Sequence, residues 1–214
     1  FRNYGAMGPT KAALESLAEN TADGIVAPVF WYALLGLPGL VAYKAINTAD
    51  SMIGHMNNKY RDFGRASAKF DDAANWIPAR LTGLLLVLAG ALLFGPARAW
   101  AAFGTMLRDA RLHRSPNAGW PETAMAALTG LALAGPRVYH GDIANEAMLN
   151  ASGRRDAGPD DIGKAISITS MMFGWRSFTC ERTSIRNRFN AEATEGALRN
   201  FIATVRSAIC SRAR

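Results

Sequence analysis

Three polar strings carry residue types able to do chemistry. A helix through residues 41–58, turning 100° per residue, gathers Lys44, Asn47, Thr48, Ser51, His55 and Asn58 within an arc of about 120°. Val41, Ala45, Ile46, Ala49, Met52, Ile53 and Met56 fall opposite, and Asp50 lies on the flank. One Lys, one His, amides and hydroxyls make a face suited to a phosphate or a polar substrate. An amphipathic helix lying on a bilayer has the same periodicity, and the pattern leaves both readings open.

The second string runs from Asp71 and Asp72 through Asn75 and Trp76 to Arg80. Adjacent carboxylates are hard-oxygen ligands of the kind Mg²⁺ accepts, with water and substrate phosphate completing its shell. Arg80 can pair with phosphate or carboxylate, and Trp76 suits a membrane interface. The alternative is that Asp71 and Asp72 cap a helix while Arg80 snorkels to the membrane surface. Upstream, Glu19, Asn20 and Asp23 could hold a metal or act as a base. Equally, they could form a helix-ending turn, with Lys11, Glu15 and Glu19 as a solvated i, i+4 face. The third string joins Arg108 and Asp109 through His113 to Ser115, Asn117, Pro121 and Glu122. Pro121 marks a helix start with Glu122 in its first turn; exposed amides there could hold an anion or serve as plain capping. His113 by itself reads as structural.

The elements that must position these strings are helical and apolar. Half of the 214 residues are hydrophobic and 19% are charged, below the roughly 25% of soluble domains. Leu, Ala and Gly dominate, which favours helix over sheet. Residues 24–43 carry no charge, and their length suffices for a bilayer core. Pro28, Gly36, Pro38 and Gly39 interrupt them, so a broken or re-entrant segment competes with a straight span. Residues 81–97 form a second uncharged stretch; 123–136 form a third, short enough for a buried core helix or a short membrane helix. The expectation is an all-α, multi-helix integral membrane protein with short, broken or interfacial helices.

The net charge of +7 resides mostly in the tail, where residues 171–214 hold eight Arg and three Glu. No zinc-finger, RNP or helix-turn-helix string accompanies it, so no nucleic-acid partner is expected. Acidic lipid or solvation accounts for the tail. Basic residues follow both of the first two apolar stretches, six over residues 44–80 and four over 98–122, so the positive-inside rule assigns no orientation. Cys180 and Cys210 make neither a disulfide framework nor a metal site. P-loop, nucleophile-elbow and His-Glu-x-x-His strings are absent.

In order, the strings ESLAENTADGIVAPVFW (15–31), YKAINTADSMIGH (43–55), YRDFG (60–64), DDAANWIPARL (71–81), RDARLHRSPNAGWPE (108–122) and AGPRVYHG (134–141) resemble the cobalamin-biosynthesis CobD/CbiB family, adenosylcobinamide-phosphate synthase. The resemblance covers residues 11–162. It implies an integral, multi-pass protein of the bacterial inner membrane and an amide-forming carbon–nitrogen ligase dependent on ATP and Mg²⁺. The implied substrates are a corrinoid, adenosylcobyric acid, and aminopropanol phosphate; the lipid bilayer and other membrane enzymes of the pathway are the implied partners. ATP would activate the poorly electrophilic propionate carboxylate, and a base would deprotonate the attacking ammonium group.

On that resemblance, Asp71 and Asp72, with Glu19 or Asp23, are assigned to Mg²⁺. Lys44, Arg80 and Arg108 face phosphates. Asp50 or His55 is the base, and Asn47, Ser51, Asn75 and Asn117 orient substrate. The family normally carries a further N-terminal region, so the chain is expected to be an N-terminally truncated member. Residues 1–165 form the synthase-like membrane domain, and 166–214 an atypical basic tail. A non-catalytic inner-membrane sensor on the same scaffold and a small transporter are the rival expectations.

Overall fold

The computed structural model describes residues 7–53, 61–135, 137–139, 142–144 and 146–174; His55 and the basic tail from 175 lie outside them. Helix α1 (Met7–Thr21) does not end where Asn20, Asp23 and Gly24 led one to expect. Asn20 Nδ2 donates back to the Ser16 carbonyl 2.7 Å away, and the chain continues through a π turn, Ala22–Val26, into α2 (Ala27–Ile53). The turn chemistry is absorbed as a π-bulge, a device that widens a helix without ending it.

The decisive bend lies at Gly36, whose φ of 66° and ψ of −153° are open essentially to glycine alone. In a straight helix, residues 23 and 43 would lie about 30 Å apart. Instead the Tyr43 hydroxyl is 2.9 Å from the Asp23 carbonyl oxygen and equally 2.9 Å from Asn75 Oδ1. Residues 24–43 therefore enter and return as a helical hairpin, deciding between the straight and re-entrant alternatives. Gly39 allows the fold-back, since a Cβ there would stand 2.5 Å from the Trp31 carbonyl oxygen. Val29, Leu34, Leu35, Leu37 and Val41 remain exposed around the hairpin.

Helix α3 (Arg61–Phe94) fuses the polar 71–80 string with the Leu-rich stretch into one rod of about 51 Å. Asp71 and Asp72 sit well inside it, so helix capping does not explain them. Pro78 lies within α3 and brings no N–H, which leaves the Ala74 carbonyl without its helical donor. The Trp31 indole Nε1 donates to that oxygen at 3.1 Å, fastening the hairpin to α3. Trp31→Phe should destabilise the protein by about 1–3 kcal/mol, and less in a Pro78→Ala background where the backbone again supplies a donor. Thermal unfolding of the four members of that double-mutant cycle checks it; equal losses in both backgrounds refute it.

At Gly95, with φ of 90°, the chain reverses into α4 (Pro96–Asp109), which packs back along α3 so that Met106 abuts Gly83. After a short 3₁₀ turn, Ala110–Leu112, comes α5 (Gly119–Thr129). Nearly all of α5 is buried, and Leu128 fits against Gly90 of α3. It ends at Gly130 in the left-handed region, φ 74°. The third apolar stretch is therefore a core helix. Two small antiparallel pairs follow, β1 (Leu133–Ala134) with β4 (Met148–Leu149) and β2 (Arg137–Tyr139) with β3 (Asp142–Ala144).

Helix α6 (Pro159–Met172) buries Ala165 and Ile168 in the common core with Leu14, Leu86, Met106 and Leu128, so the compositional change at residue 165 falls inside a packed helix. At its start, burial raises the Asp161 carboxyl. Bonds from Lys164 Nζ (2.9 Å) and the Gly158 amide (3.1 Å), with the Arg154 charge, outweigh burial and hold it below the usual range. A carboxylate with a depressed folded pKa stabilises above its unfolded pKa and loses that contribution as pH falls through the folded value. Asp161→Asn should therefore lower stability near neutrality and flatten the loss on acidification below the ordinary carboxylate range, as followed by circular dichroism; parallel acid profiles would refute it.

Two helical stretches, Gly8–Ile53 and Gly64–Phe94, are long and apolar enough to cross a membrane by length and composition. The chain is an all-α membrane protein whose first apolar stretch is the re-entrant hairpin.

Candidate active site

The hairpin, α1, α3 and the loop before α5 enclose a cleft of about 370 Å³. Helix α1 supplies Glu15 and Glu19, the π turn supplies Asp23, and α2 supplies Asn47, Asp50 and Ser51. Helix α3 adds Asp71, Asp72 and Asn75, and His113, Arg114, Ser115, Asn117, Glu122 and Glu146 close the far side. Eight carboxylates thus face a space that contains one Arg, so the cleft favours a cation or a ligand bearing N–H donors.

Local geometry fixes the carboxylates. Asn75 lies one helical turn beyond Asp71 and donates from Nδ2 to Asp71 Oδ2 at 3.0 Å, while Asn47 Nδ2 reaches Asp71 Oδ1 at 3.2 Å. Each Asp71 oxygen is therefore held by an amide from a different helix. Asn75 in turn is held by Tyr43, whose single proton serves either Asn75 or the Asp23 carbonyl at one time. Asn117 Nδ2 donates to the Asp72 carbonyl oxygen at 2.9 Å and lies 3.4 Å from Asp72 Oδ1, tying the 113–118 loop to α3. The other amide atom, Asn117 Oδ1, is buried at the cleft wall with no hydrogen-bond partner among the described residues. A buried acceptor left open in this way is suited to a ligand donor.

Ten of the residues singled out from the sequence meet here: Glu19, Asp23, Asn47, Asp50, Ser51, Asp71, Asp72, Asn75 and Asn117 line the cleft, and Lys44 stands at its edge with Nζ 3.4 Å from Asn47 Oδ1. Arg80 faces a neighbouring cleft. Arg108 faces neither; its guanidinium grips Asp109 at 2.6 and 3.1 Å, and Asp109 Oδ2 accepts the Asn150 amide at 3.0 Å. That chain of bonds anchors a loop. His55 lies outside the described residues.

Three further lining residues carry other readings in the sequence, Glu15 as part of a solvated face, His113 as structural and Glu122 as a helix start, and Glu146 falls in none of its strings. Glu15 is not on a solvated face: it is 7% exposed and its Oε1 accepts the Ala134 amide at 2.8 Å. His113 Nδ1 accepts the Ser115 amide at 3.0 Å, which points Nε2 toward Glu122 Oε2 at 3.6 Å. The Pro-Glu pair at 121–122 was the available signal, and it reads equally as a helix start.

Among the described residues, no three carboxylate or imidazole groups converge on one point. The donor set fits Mg²⁺ in its usual manner, with one or two carboxylates and the rest of the shell from water and phosphate. The opposed, amide-oriented Asp71 and the open Asn117 oxygen are compatible with it.

The family model for CobD/CbiB proteins matches residues 3–169. The chain belongs to the CobD/CbiB family. Among curated CobD/CbiB relatives, the cobalamin biosynthesis protein CobD of Brucella anthropi is 62% identical over 171 residues, covering 78% of this chain and 52% of that protein. The proteins of the same name from Rhodobacter capsulatus and Rhizobium meliloti are 55% and 54% identical, covering 75% and 74% of this chain and 49% and 48% of theirs. The chain spans about half the length of these relatives. No solved structure matches it.

Proposed function

We propose that this chain carries the substrate cleft of an amide-forming ligase in cobalamin biosynthesis. The reaction joins the propionate carboxyl of adenosylcobyric acid to the amine of aminopropanol phosphate, with ATP and Mg²⁺, in a multi-pass protein of the bacterial inner membrane. One observation carries this reading: polar residues from four separated family strings, at 15–23, 47–51, 71–75 and 113–122, line a single acidic cleft.

The chemistry of the cleft suits an amine nucleophile. The substrate arrives as an ammonium group, which the surrounding carboxylates and the open Asn117 Oδ1 attract and orient. Asp50 takes the proton from the ammonium nitrogen onto a carboxylate oxygen, freeing the lone pair that attacks the carbonyl carbon of the carboxyl once ATP has phosphorylated it. The C–N bond forms as the bond from carbon to the phosphate-bearing oxygen breaks, and inorganic phosphate leaves. Asn47 and Asn75 keep Asp71 aimed into the cleft. Asp71, with at most one further carboxylate from Asp72, Glu19 or Asp23, would hold Mg²⁺, which when bound supplies positive charge against phosphate oxygens.

A strain blocked at cobinamide-phosphate formation, supplied with cobyric acid, tests the proposal. Restored growth together with ATP-dependent appearance of cobinamide phosphate in membranes is the expected result. Substrate uptake without amide formation would replace the ligase reading with transport.

A further inference from the structure

Adjoining the acidic cleft at the 113–118 loop lies a second cleft of about 550 Å³ of opposite character. Arg80, Arg111 and Arg114 face it, and Trp76 and Trp120 form its apolar walls. The Arg80 guanidinium carbon sits 4.0 Å from the centre of the Trp76 ring and 4.8 Å from that of Trp120, so two aromatic faces fix the orientation of its fork. Among the described residues, neither Arg80 nor Arg111 forms an ion pair, and Arg114 reaches Glu146 only at 4.0 Å. Arg80 Nη1 donates to the Trp76 carbonyl oxygen at 2.5 Å. Its remaining donors and those of Arg111 have no carboxylate partner among the described residues, and guanidinium groups clustered in this way repel one another and favour an anion. His113 and Arg114 line both clefts, so the acidic and cationic sites adjoin across these two side chains.

We infer that this arginine–tryptophan cleft binds the phosphate-bearing part of a soluble substrate, a polyphosphate or phosphate ester, with Arg80 as the preset fork and Arg111 as the second cation. The inference rests on the ligase reading for its substrate class, and it separates the phosphate from the carboxylates that attract the amine. A phosphate placed among eight carboxylates without a bound cation would be repelled; placed across His113 and Arg114, it neutralises the arginines and can still face a cation held at the edge of the acidic cleft.

The test measures pyrophosphate binding to the full chain in nanodiscs of neutral lipid, by calorimetry and by thermal shift. Arg111→Gln, at an exposed position, and Arg80→Gln should each weaken binding about tenfold or more, as expected for lost charge-assisted bonds. Arg80→Lys should restore only part of the loss, since it keeps the charge without the planar fork. Arg155→Gln removes the same charge from an exposed loop position outside the cleft and should leave binding unchanged. Equal weakening by Arg155→Gln, or unaltered binding in the Arg80→Gln/Arg111→Gln double variant, overturns the inference. So does stabilisation that depends on Arg80 and Arg111 only in phosphatidylglycerol nanodiscs, with none from pyrophosphate, because the site would then hold a lipid headgroup. These binding outcomes stand apart from amide formation, so either reading can fail while the other survives.

Discussion

Asp71→Asn should lower ATP-dependent cobinamide phosphate formation by about 100-fold or more, the size of effect seen when one preorganised electrostatic group is removed. The substitution keeps the side-chain shape, so the loss is one of charge and hydrogen-bond polarity. In the wild type both Asp71 oxygens accept amide protons, from Asn47 and Asn75. An asparagine presents one N–H where an oxygen stood, and one neighbouring amide must turn over. Turning Asn75 would place its amino group toward the Tyr43 hydroxyl, where that hydroxyl would have to accept rather than donate. The structural cost is about 1 kcal/mol, one exchanged hydrogen bond. Activity should therefore fall far more than stability does. An Asn75→Ala variant separates the two effects: it frees one Asp71 oxygen without removing the charge, and should cost less turnover than Asp71→Asn. Normal turnover by Asp71→Asn, assayed in membranes, would remove this residue from the site.

The second large effect is expected at Gly119. A Cβ at that position would collide with the Ala110 carbonyl oxygen and stand 2.7 Å from the His113 Cβ. Neither neighbour can yield easily, because Ala110 is buried at the end of α4 and His113 is held by the Ser115 amide. Gly119→Ala should cost about 1–3 kcal/mol or more through overpacking. In a chain of this size that lowers the melting temperature by roughly 3–10 °C. The displaced 113–118 loop forms a wall of both clefts, so activity should fall at temperatures where the variant is still folded. A variant with wild-type melting and wild-type turnover would refute the close packing.

The residue types of the acidic cleft were legible before the fold because short polar side chains recur at helical spacing beside apolar ones. Asn47 and Ser51 share an arc of one helix, and Asp71 and Asn75 are one turn apart. Glu15 was hidden because an i, i+4 series of charges looks the same whether water or a backbone amide lies beyond it. Arg80, Arg108 and Arg111 show another limit. Composition marks all three as cations, but only the direction in which α4 ends decides that Arg108 turns back to Asp109 while Arg111 faces the second cleft. The helical class was readable from apolar runs and sparse β-branched residues. The sign of φ at Gly36 has no counterpart in periodicity, and it determines whether 24–43 crosses or returns.

That fold-back also changes the parity of membrane crossings. A straight 24–43 segment would put the six basic residues of 44–80 on the face opposite α1, whereas a segment that returns leaves α1 and those residues on one face. With α4 packing back along α3, Arg108, Arg111 and Arg114 return to the end of α3 on which the hairpin is fastened. A single glycine thereby decides that the residues after the hairpin and the arginines at the end of α4 share one end of the helical bundle, the end at which both clefts lie.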